Sequence, residues 1–193
     1  MEESEKVRIA ITNLLKSTGR ANIEELIDKM VEGGFFNSPC STAYHLSVEG
    51  GLAKHSLNVF QIASRMNHAL GNPVPDNTLI IITLLHDLGK MGDYGKPNYV
   101  PNLLKNGKPS ETKPYETNKS LSYIAHEIRS IGIAERYIEL TEDEEFAILY
   151  HNGLYGSLKY DIQGKETPMY MILHFADMWA SRVVDDEQKG EKE

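Results

Sequence analysis

The sequence has little of several features that mark other classes of protein. Its 193 residues include one cysteine, Cys40, which excludes an internal disulfide and a metal site built from thiolates alone. The longest apolar run, residues 79–85, is far shorter than the ~18–20 residues that a membrane-spanning helix needs. The acidic, polar N-terminus is unlike a secretory signal. We therefore expect a cytoplasmic protein with no membrane partner.

Positive charge is also scarce. The chain carries 20 lysines and arginines against 28 aspartates and glutamates, a formal net charge of −8. Because proteins bind the phosphate backbone mainly through lysine and arginine, we do not expect long nucleic acid as a partner. Apolar residues make up 40% of the chain and charged residues 25%, as in an ordinary folded domain. A small anion could still bind locally, at a metal or at a few placed cations.

Helical periodicity extends over most of the chain, and no alternating segment is long enough for a sheet. The apolar spacing predicts helices over 5–16, 22–32, 54–70, 77–88 and 120–131. Asp76 is the predicted N-cap of the fourth helix. A capping box at Thr141 begins another helix, and Thr167–Pro168 begins the last, which reaches residue 184. The predicted fold class is all-α.

One long segment interrupts the helices. Residues 91–118 contain half of the eight prolines and three glycines, and a long loop inside a compact domain is usually functional or disordered. Six lysines and three acidic residues give residues 90–119 a charge of +3. We predict a lid that attracts an anionic substrate, with a merely solvated connection as the equal alternative.

The histidines are the most informative residues. His86 and Asp87 end an apolar run of the buried type, and two such side chains are costly to desolvate unless they are paired or bind a metal. Comparable positions on other predicted helices hold His55, His126, His151 and Asp177. Imidazole nitrogens combined with carboxylate oxygens suit Fe, Mn, Zn, Co or Ni. The set without His126 and His151 can hold one ion, and the full set allows a second, with Asp87 as the bridge.

The last predicted helix has two further features. His174 lies three residues before Asp177 on the same helix face, where it could orient Asp177 or be a satisfied core histidine. Core packing is predicted for Met169, Met171, Met178 and Trp179.

Several of these features occur in a recognisable order. They are GGLAKHS at 50–56, LLHDLGK at 84–90, the helices that carry His126 and His151, and HFADMW at 174–179. Over roughly residues 43–184 the chain resembles the HD superfamily of metal-dependent phosphohydrolases, whose pattern is H…HD…D, or H…HD…H…H…D in two-metal members. The resemblance implies an all-α HD-domain helical bundle, a metal centre, and hydrolysis of a phosphate ester or anhydride. It makes His55, His86, Asp87 and Asp177 primary ligands, and His126 and His151 ligands of a second metal.

Neighbouring residues complete the predicted site. Lys90 resembles the lysine that two-metal phosphodiesterase-like and polyphosphate-cleaving members place on the substrate phosphate. His45 resembles an upstream histidine of HD-type 3′–5′ exoribonucleases, with a local structural bond as the equal alternative. Tyr94 could stack on a base, and Lys96 belongs to the basic loop, so both are predicted substrate contacts. Asp87 and Lys90 are the predicted catalytic residues.

We predict three segments: a helical extension at 1–36, the HD domain at 37–184 and a charged tail at 185–193. The predicted activity is hydrolysis of a small nucleotide or phosphorylated metabolite by water that one or two divalent metal ions activate. One alternative is a phosphodiesterase or 3′–5′ exonuclease on short oligonucleotides. Another is a degenerate module that binds a nucleotide without cleaving it and regulates a partner. The sequence leaves a homo-oligomer open.

Overall fold

The computed structural model describes residues 1–156 and 159–185, and these residues form an all-α fold. The α-helices within these ranges are α1 (Glu3–Ser17), α2 (Ile23–Glu32), α3 (Gly51–Ala69), α4 (Asp76–Leu85), α5 (His126–Ala134), α6 (Glu142–Tyr150) and α7 (Pro168–Trp179). α7 continues directly into a π-helical segment, Ala180–Val184. In the described ranges, every helix is too short or too polar to cross a membrane. The all-α prediction is confirmed.

α4 is the central helix. Its residues 78–85 are all buried, as expected of a helix that is apolar on every side. α4 packs against α1, α3 and α6, and α3 also packs against α7. Because α4 is enclosed in this way, the two residues that follow it, His86 and Asp87, are delivered to the interior of the bundle.

The N-terminal helices belong to the same hydrophobic core. α1 packs against α3 and α4, and the buried side chains of α1 and α2 include Ile11, Leu15 and Met30. Arg20, between these two helices, donates to the Glu139 carbonyl oxygen at 2.6 Å and pairs with the fully buried Glu144 carboxylate. Residues 1–36 are therefore attached to the bundle by apolar contact and by a long-range ion pair.

Helix boundaries differ from the predicted ones at several points. Asp76 is the first residue of α4, with Pro75 at the N-cap, so the predicted cap is wrong by one residue. α5 begins at His126 and not at 120, because Ala125 is extended (φ −52°, ψ 136°) and Tyr123 is exposed to solvent. The capping box at Thr141 and the proline at the first turn of α7 are both present as predicted.

The segment between α4 and α5 contains short antiparallel ribbons, which the sequence did not predict. β1 (Gly92–Asp93) pairs with β2 (Lys96–Pro97), and β3 (Tyr99–Pro101) pairs with β4 (Tyr115–Thr117). Gly92 has a φ of +97°, and a Cβ there would overlap the Lys96 carbonyl oxygen, so the first ribbon requires glycine at this position. The ribbons are two or three residues long because the prolines remove backbone donors.

The outer face of α7 is apolar and exposed. Met171 is 43% exposed and Trp179 is 55% exposed, so the prediction that both pack in the core is wrong. The inner face of the helix is filled by Ile172, Leu173 and Ala176. Met169 packs against the core from a half-buried position, as predicted.

Candidate metal centre

All six predicted metal ligands lie together inside the bundle. They form overlapping groups of three residues, and within each group the possible ligand atoms lie within 4.8 Å of one another. Five helices supply these side chains: the second turn of α3, the two residues after α4, the first residue of α5, the residue after α6 and the last turn of α7. In that order the residues are His55, His86, Asp87, His126, His151 and Asp177. Helix ends and one buried helix face therefore supply the whole cluster.

Asp87 lies at the centre, with one histidine pair on each side of its carboxylate. Its Oδ2 atom is 3.5 Å from His55 Nε2 and 3.4 Å from His86 Nε2. Its Oδ1 atom is 3.2 Å from His126 Nε2 and 3.6 Å from His151 Nε2. Each oxygen thus serves a separate set of nitrogens, which is the arrangement expected of a carboxylate between two metal positions.

The backbone fixes which nitrogen of two histidines is free to bind. His86 Nδ1 donates to the Thr83 carbonyl at 2.8 Å, and His151 Nδ1 donates to the Ile148 carbonyl at 2.7 Å. Because a carbonyl oxygen can only accept, each Nδ1 carries the hydrogen and the neutral ring has its lone pair on Nε2. Both lone pairs are therefore available on the side of the ring that is near Asp87.

Several buried polar atoms of the cluster lack a hydrogen-bond partner. Among the described residues, the buried atoms without a hydrogen-bond partner include His55 Nε2, His86 Nε2 and Asp87 Oδ1. An unsatisfied buried polar group costs about 1–3 kcal/mol, so three in one cluster need partners that the described side chains do not supply. Divalent cations on the two sides of Asp87 would satisfy them, and a mixed nitrogen and oxygen donor set suits a transition metal. The residues present thus fit the metal that the sequence predicts.

The protonation states of the two carboxylates and of His86 also agree with metal binding. Burial would raise the pKa of Asp87, but the charge of Lys90 holds it well below the ordinary value. Burial likewise opposes ionisation of Asp177, and the His55 ring 3.1 Å away lowers its pKa instead. Burial lowers the pKa of His86. Both carboxylates are therefore anionic at neutral pH, and His86 is neutral.

A cavity of about 360 Å³ opens beside the cluster. Its lining includes Asp177 from the cluster and Lys90, whose Nζ lies 2.7 Å from Asp87 Oδ2. Burial would lower the pKa of Lys90, but Asp87 raises it well above the ordinary value, so the amine is charged. On another part of the lining, the Arg182 guanidinium lies 5.5 Å from the centre of the Tyr155 ring. An anionic substrate in this cavity would meet positive charge at two places, Lys90 and Arg182.

The three remaining predicted substrate contacts fall into two groups. His45 lines the cavity, and its Nε2 also lies 3.4 Å from Cys40 Sγ. Burial is the main cause that lowers the pKa of His45, to about 4, so the ring is neutral at neutral pH.

Tyr94 and Lys96 are not among the residues that line the cavity. Tyr94 is 73% exposed at the tip of the first ribbon, where the Arg136 guanidinium lies 5.8 Å from its ring centre. Lys96 Nζ donates to the Ser120 carbonyl at 2.8 Å. The structure therefore does not bring these two side chains to the metal cluster.

Three further residues support the cluster, and the sequence analysis assigned none of them a clear role. Asp185 accepts a hydrogen bond from His55, and the Glu127 carboxylate lies 3.3 Å from His126 Nδ1. His174 Nδ1 donates to the carbonyl of His151 at 2.8 Å and its ring stacks on Tyr170, so His174 is a satisfied core histidine. Asp185 had been assigned to the charged tail, and no sequence signal distinguishes it from its acidic neighbours.

Fold and site together define an all-α protein with a buried histidine and aspartate centre that could hold a divalent metal. The HD domain family matches residues 52–177, which is most of the chain and extends from before His55 to Asp177. The chain belongs to the HD domain family, whose members are generally metal-dependent phosphohydrolases. No curated protein and no solved structure matches the chain at a significant level.

Proposed function

We propose that this protein hydrolyses a phosphate ester or anhydride of a small nucleotide-like compound, with one or two divalent transition-metal ions as cofactor. The observation that carries the proposal is that unpartnered nitrogens of His55 and His86 lie 3.5 Å and 3.4 Å from one oxygen of Asp87, whose other oxygen, Oδ1, is itself unpartnered. The ligands would be His55, His86, Asp87, His126, His151 and Asp177. When bound, a divalent metal lowers the pKa of water towards neutrality and polarises a phosphoryl oxygen.

Lys90 is the residue best placed to act on the substrate itself. Its charged amine lies 2.7 Å from Asp87 and also lines the cavity, so it borders both the cluster and the substrate space. A phosphoryl group seated there would have its developing negative charge stabilised by a cation that is already in position. Asp87 holds this amine in place, and the substrate does not have to order it.

The cavity favours a small substrate. A volume of about 360 Å³ lies at the low end of ordinary ligand pockets, which suits one nucleotide-sized molecule. Tyr155 and Tyr44 present exposed rings along the cavity, and Arg182 lies against the first of them. A flat base or a second anionic group could bind at this end while the scissile phosphate lies at Lys90.

A phosphodiesterase or exonuclease acting on short oligonucleotides is the second candidate. The position of His45 favours this candidate, because the histidine lines the cavity, where it could contact a nucleic-acid substrate. Salt distinguishes the two reactions: a polymer that contacts several cations should give a steep fall in kcat/KM with salt, and a mononucleotide a shallow one.

The test is a turnover assay of metal-free protein reloaded with Mn²⁺, Fe²⁺ or Co²⁺ against nucleotides and short oligonucleotides. Asp87→Asn should lower kcat at least ~10²-fold, because the central anionic ligand becomes a neutral amide. Asp161→Asn is the matched control, since Asp161 is exposed and away from the cluster. Undiminished turnover by Asp87→Asn would refute the proposal, and nucleotide binding without turnover under every metal would favour the non-catalytic regulatory module.

A further inference from the structure

The second carboxylate that contacts His55 comes from the end of the chain's last helical segment. Asp185 is 0% exposed. Its Oδ2 atom accepts from His55 Nδ1 at 2.8 Å and its Oδ1 atom accepts from Asn58 Nδ2 at 2.8 Å. His55 and Asn58 lie three residues apart on one face of α3. A buried carboxylate is costly unless it is paired, and both oxygens of this one are held by α3.

The π-helical segment explains how Asp185 reaches His55. Asp185 follows Asp177 by eight residues, which in a continuous α-helix would turn it about 80° away from the direction of Asp177. A π-helical stretch accommodates an extra residue, so Asp185 takes the position of a seventh residue, only about 20° away. Residues 180–184 form such a stretch. Asp177 Oδ1 consequently lies 3.1 Å from His55 Nε2 while Asp185 contacts Nδ1 of the same ring.

His55 needs an acceptor from another element because of its place in the helix. His86 and His151 follow the ends of α4 and α6, where the last carbonyls have no helical amide to accept from. His55 lies within α3, where the preceding carbonyls are occupied, and Leu52 O also accepts from Ser56 Oγ at 3.0 Å. A side chain from outside the helix, Asp185, is the hydrogen-bond partner of the ring at Nδ1 instead.

We infer that Asp185 is a positioning residue of the metal centre: it keeps the hydrogen of His55 on Nδ1 and aims the Nε2 lone pair between Asp87 and Asp177. The inference rests on the proposed metal-binding function. Asp185 is fully buried and is not among the residues lining the cavity, so it does not contact the substrate. A carboxylate behind a ligating histidine also makes the imidazole a stronger donor, and losing such a partner typically weakens metal binding about 10–100-fold.

The test measures metal affinity directly. Metal-free wild type, Asp185→Asn, Asp185→Ala and the control Asp161→Asn are titrated with Zn²⁺ or Mn²⁺ against a competing chelator. We expect the two Asp185 variants to bind the first, most tightly held metal ion about 10–100-fold more weakly than wild type does. The control should have the affinity of wild type. At saturating metal, kcat of Asp185→Asn should return close to that of wild type, since Asp185 acts through His55. Unchanged affinity in folded Asp185 variants overturns the inference.

A second measurement does not depend on whether the variants fold. In wild type labelled with ¹⁵N-histidine and loaded with diamagnetic Zn²⁺, His55 should show a hydrogen on Nδ1 and zinc on Nε2. Zinc on Nδ1, or a hydrogen on Nε2, overturns the inference. Wild type that binds no metal at all would instead sink the proposed function, so the two failures are distinguishable.

Discussion

The substitution Gly89→Ala tests the close packing between the HD motif and the start of α5. Gly89 follows the His86–Asp87 pair by two residues, and its backbone N–H donates to Ser130 Oγ at 2.8 Å. A Cβ at this position would overlap the His126 carbonyl oxygen and lie 2.9 Å from Arg129 Cβ and from Ser130 N. All three obstacles are backbone atoms or a β-carbon, so no side-chain rotation can relieve them.

The size of the expected losses in stability and in catalytic rate follows from these contacts. Carbon atoms pack at about 3.5–4.0 Å, so α5 would have to retreat by roughly 1 Å to admit the methyl group. His126 is the first residue of α5 and would retreat with it, lengthening the 3.2 Å separation between its Nε2 atom and Asp87 Oδ1. Overpacking of this kind costs about 1–3 kcal/mol of stability, and a 1 Å misplacement at a catalytic centre can cost about 10²-fold in rate.

The assay compares Gly89→Ala with Gly132→Ala, a change of the same chemistry on α5. Gly132 is exposed, and a Cβ there would meet nothing within 4 Å, so this control should gain about 0.5–1 kcal/mol of stability. Gly89→Ala should lose stability in denaturant titration, lose metal first at the His126 and His151 positions, and lose kcat. Wild-type stability together with wild-type metal stoichiometry in Gly89→Ala would refute the reasoning.

Three other predictions concern stability, reactivity and pH. Arg20→Ala should cost about 3–5 kcal/mol in urea unfolding because it leaves the Glu144 carboxylate buried and unpaired; a loss below 1 kcal/mol would contradict this. Burial raises the pKa of the Cys40 thiol to about 11, so native protein should resist a thiol-specific disulfide reagent at pH 8 and react only when unfolded; fast native labelling would count against the buried thiol. Burial opposes charge on His151, but the nearby Asp87 carboxylate raises its pKa above the ordinary value. A proton on Nε2 competes with metal, so chelator competition should show metal affinity falling as pH drops through that raised pKa, and a pH-independent affinity would argue against His151 as a ligand.

The sequence predicted the six side chains that the structure brings together, because most of them lie at helix ends that local patterns can locate. The apolar run of α4 indicates a buried helix, and a buried helix must deliver His86 and Asp87 to the interior. Thr141 and Glu144 specify the start of α6 through short-range hydrogen bonds alone. The family motif then joins these separate elements, which no single segment could do.

The features that the sequence did not predict share one cause, which is contact between distant segments. Nothing local shows that residues 180–184 form a π-helical segment or that Asp185 packs on α3. Tyr94 was assigned to the substrate from its place in a basic loop, whereas its ribbon directs it towards Arg136. Trp179 is hydrophobic but exposed, because the face of α7 towards the core is already filled by smaller apolar residues.

The central claim is that Asp87 and the surrounding imidazoles bind a divalent metal ion. Anomalous diffraction from Mn²⁺-loaded crystals, recorded on both sides of the manganese absorption edge, tests it most directly. We expect a manganese peak within bonding distance, about 2.0–2.3 Å, of Asp87 Oδ2 and of the Nε2 atoms of His55 and His86. Metal-saturated crystals with no anomalous peak beside Asp87 would contradict it.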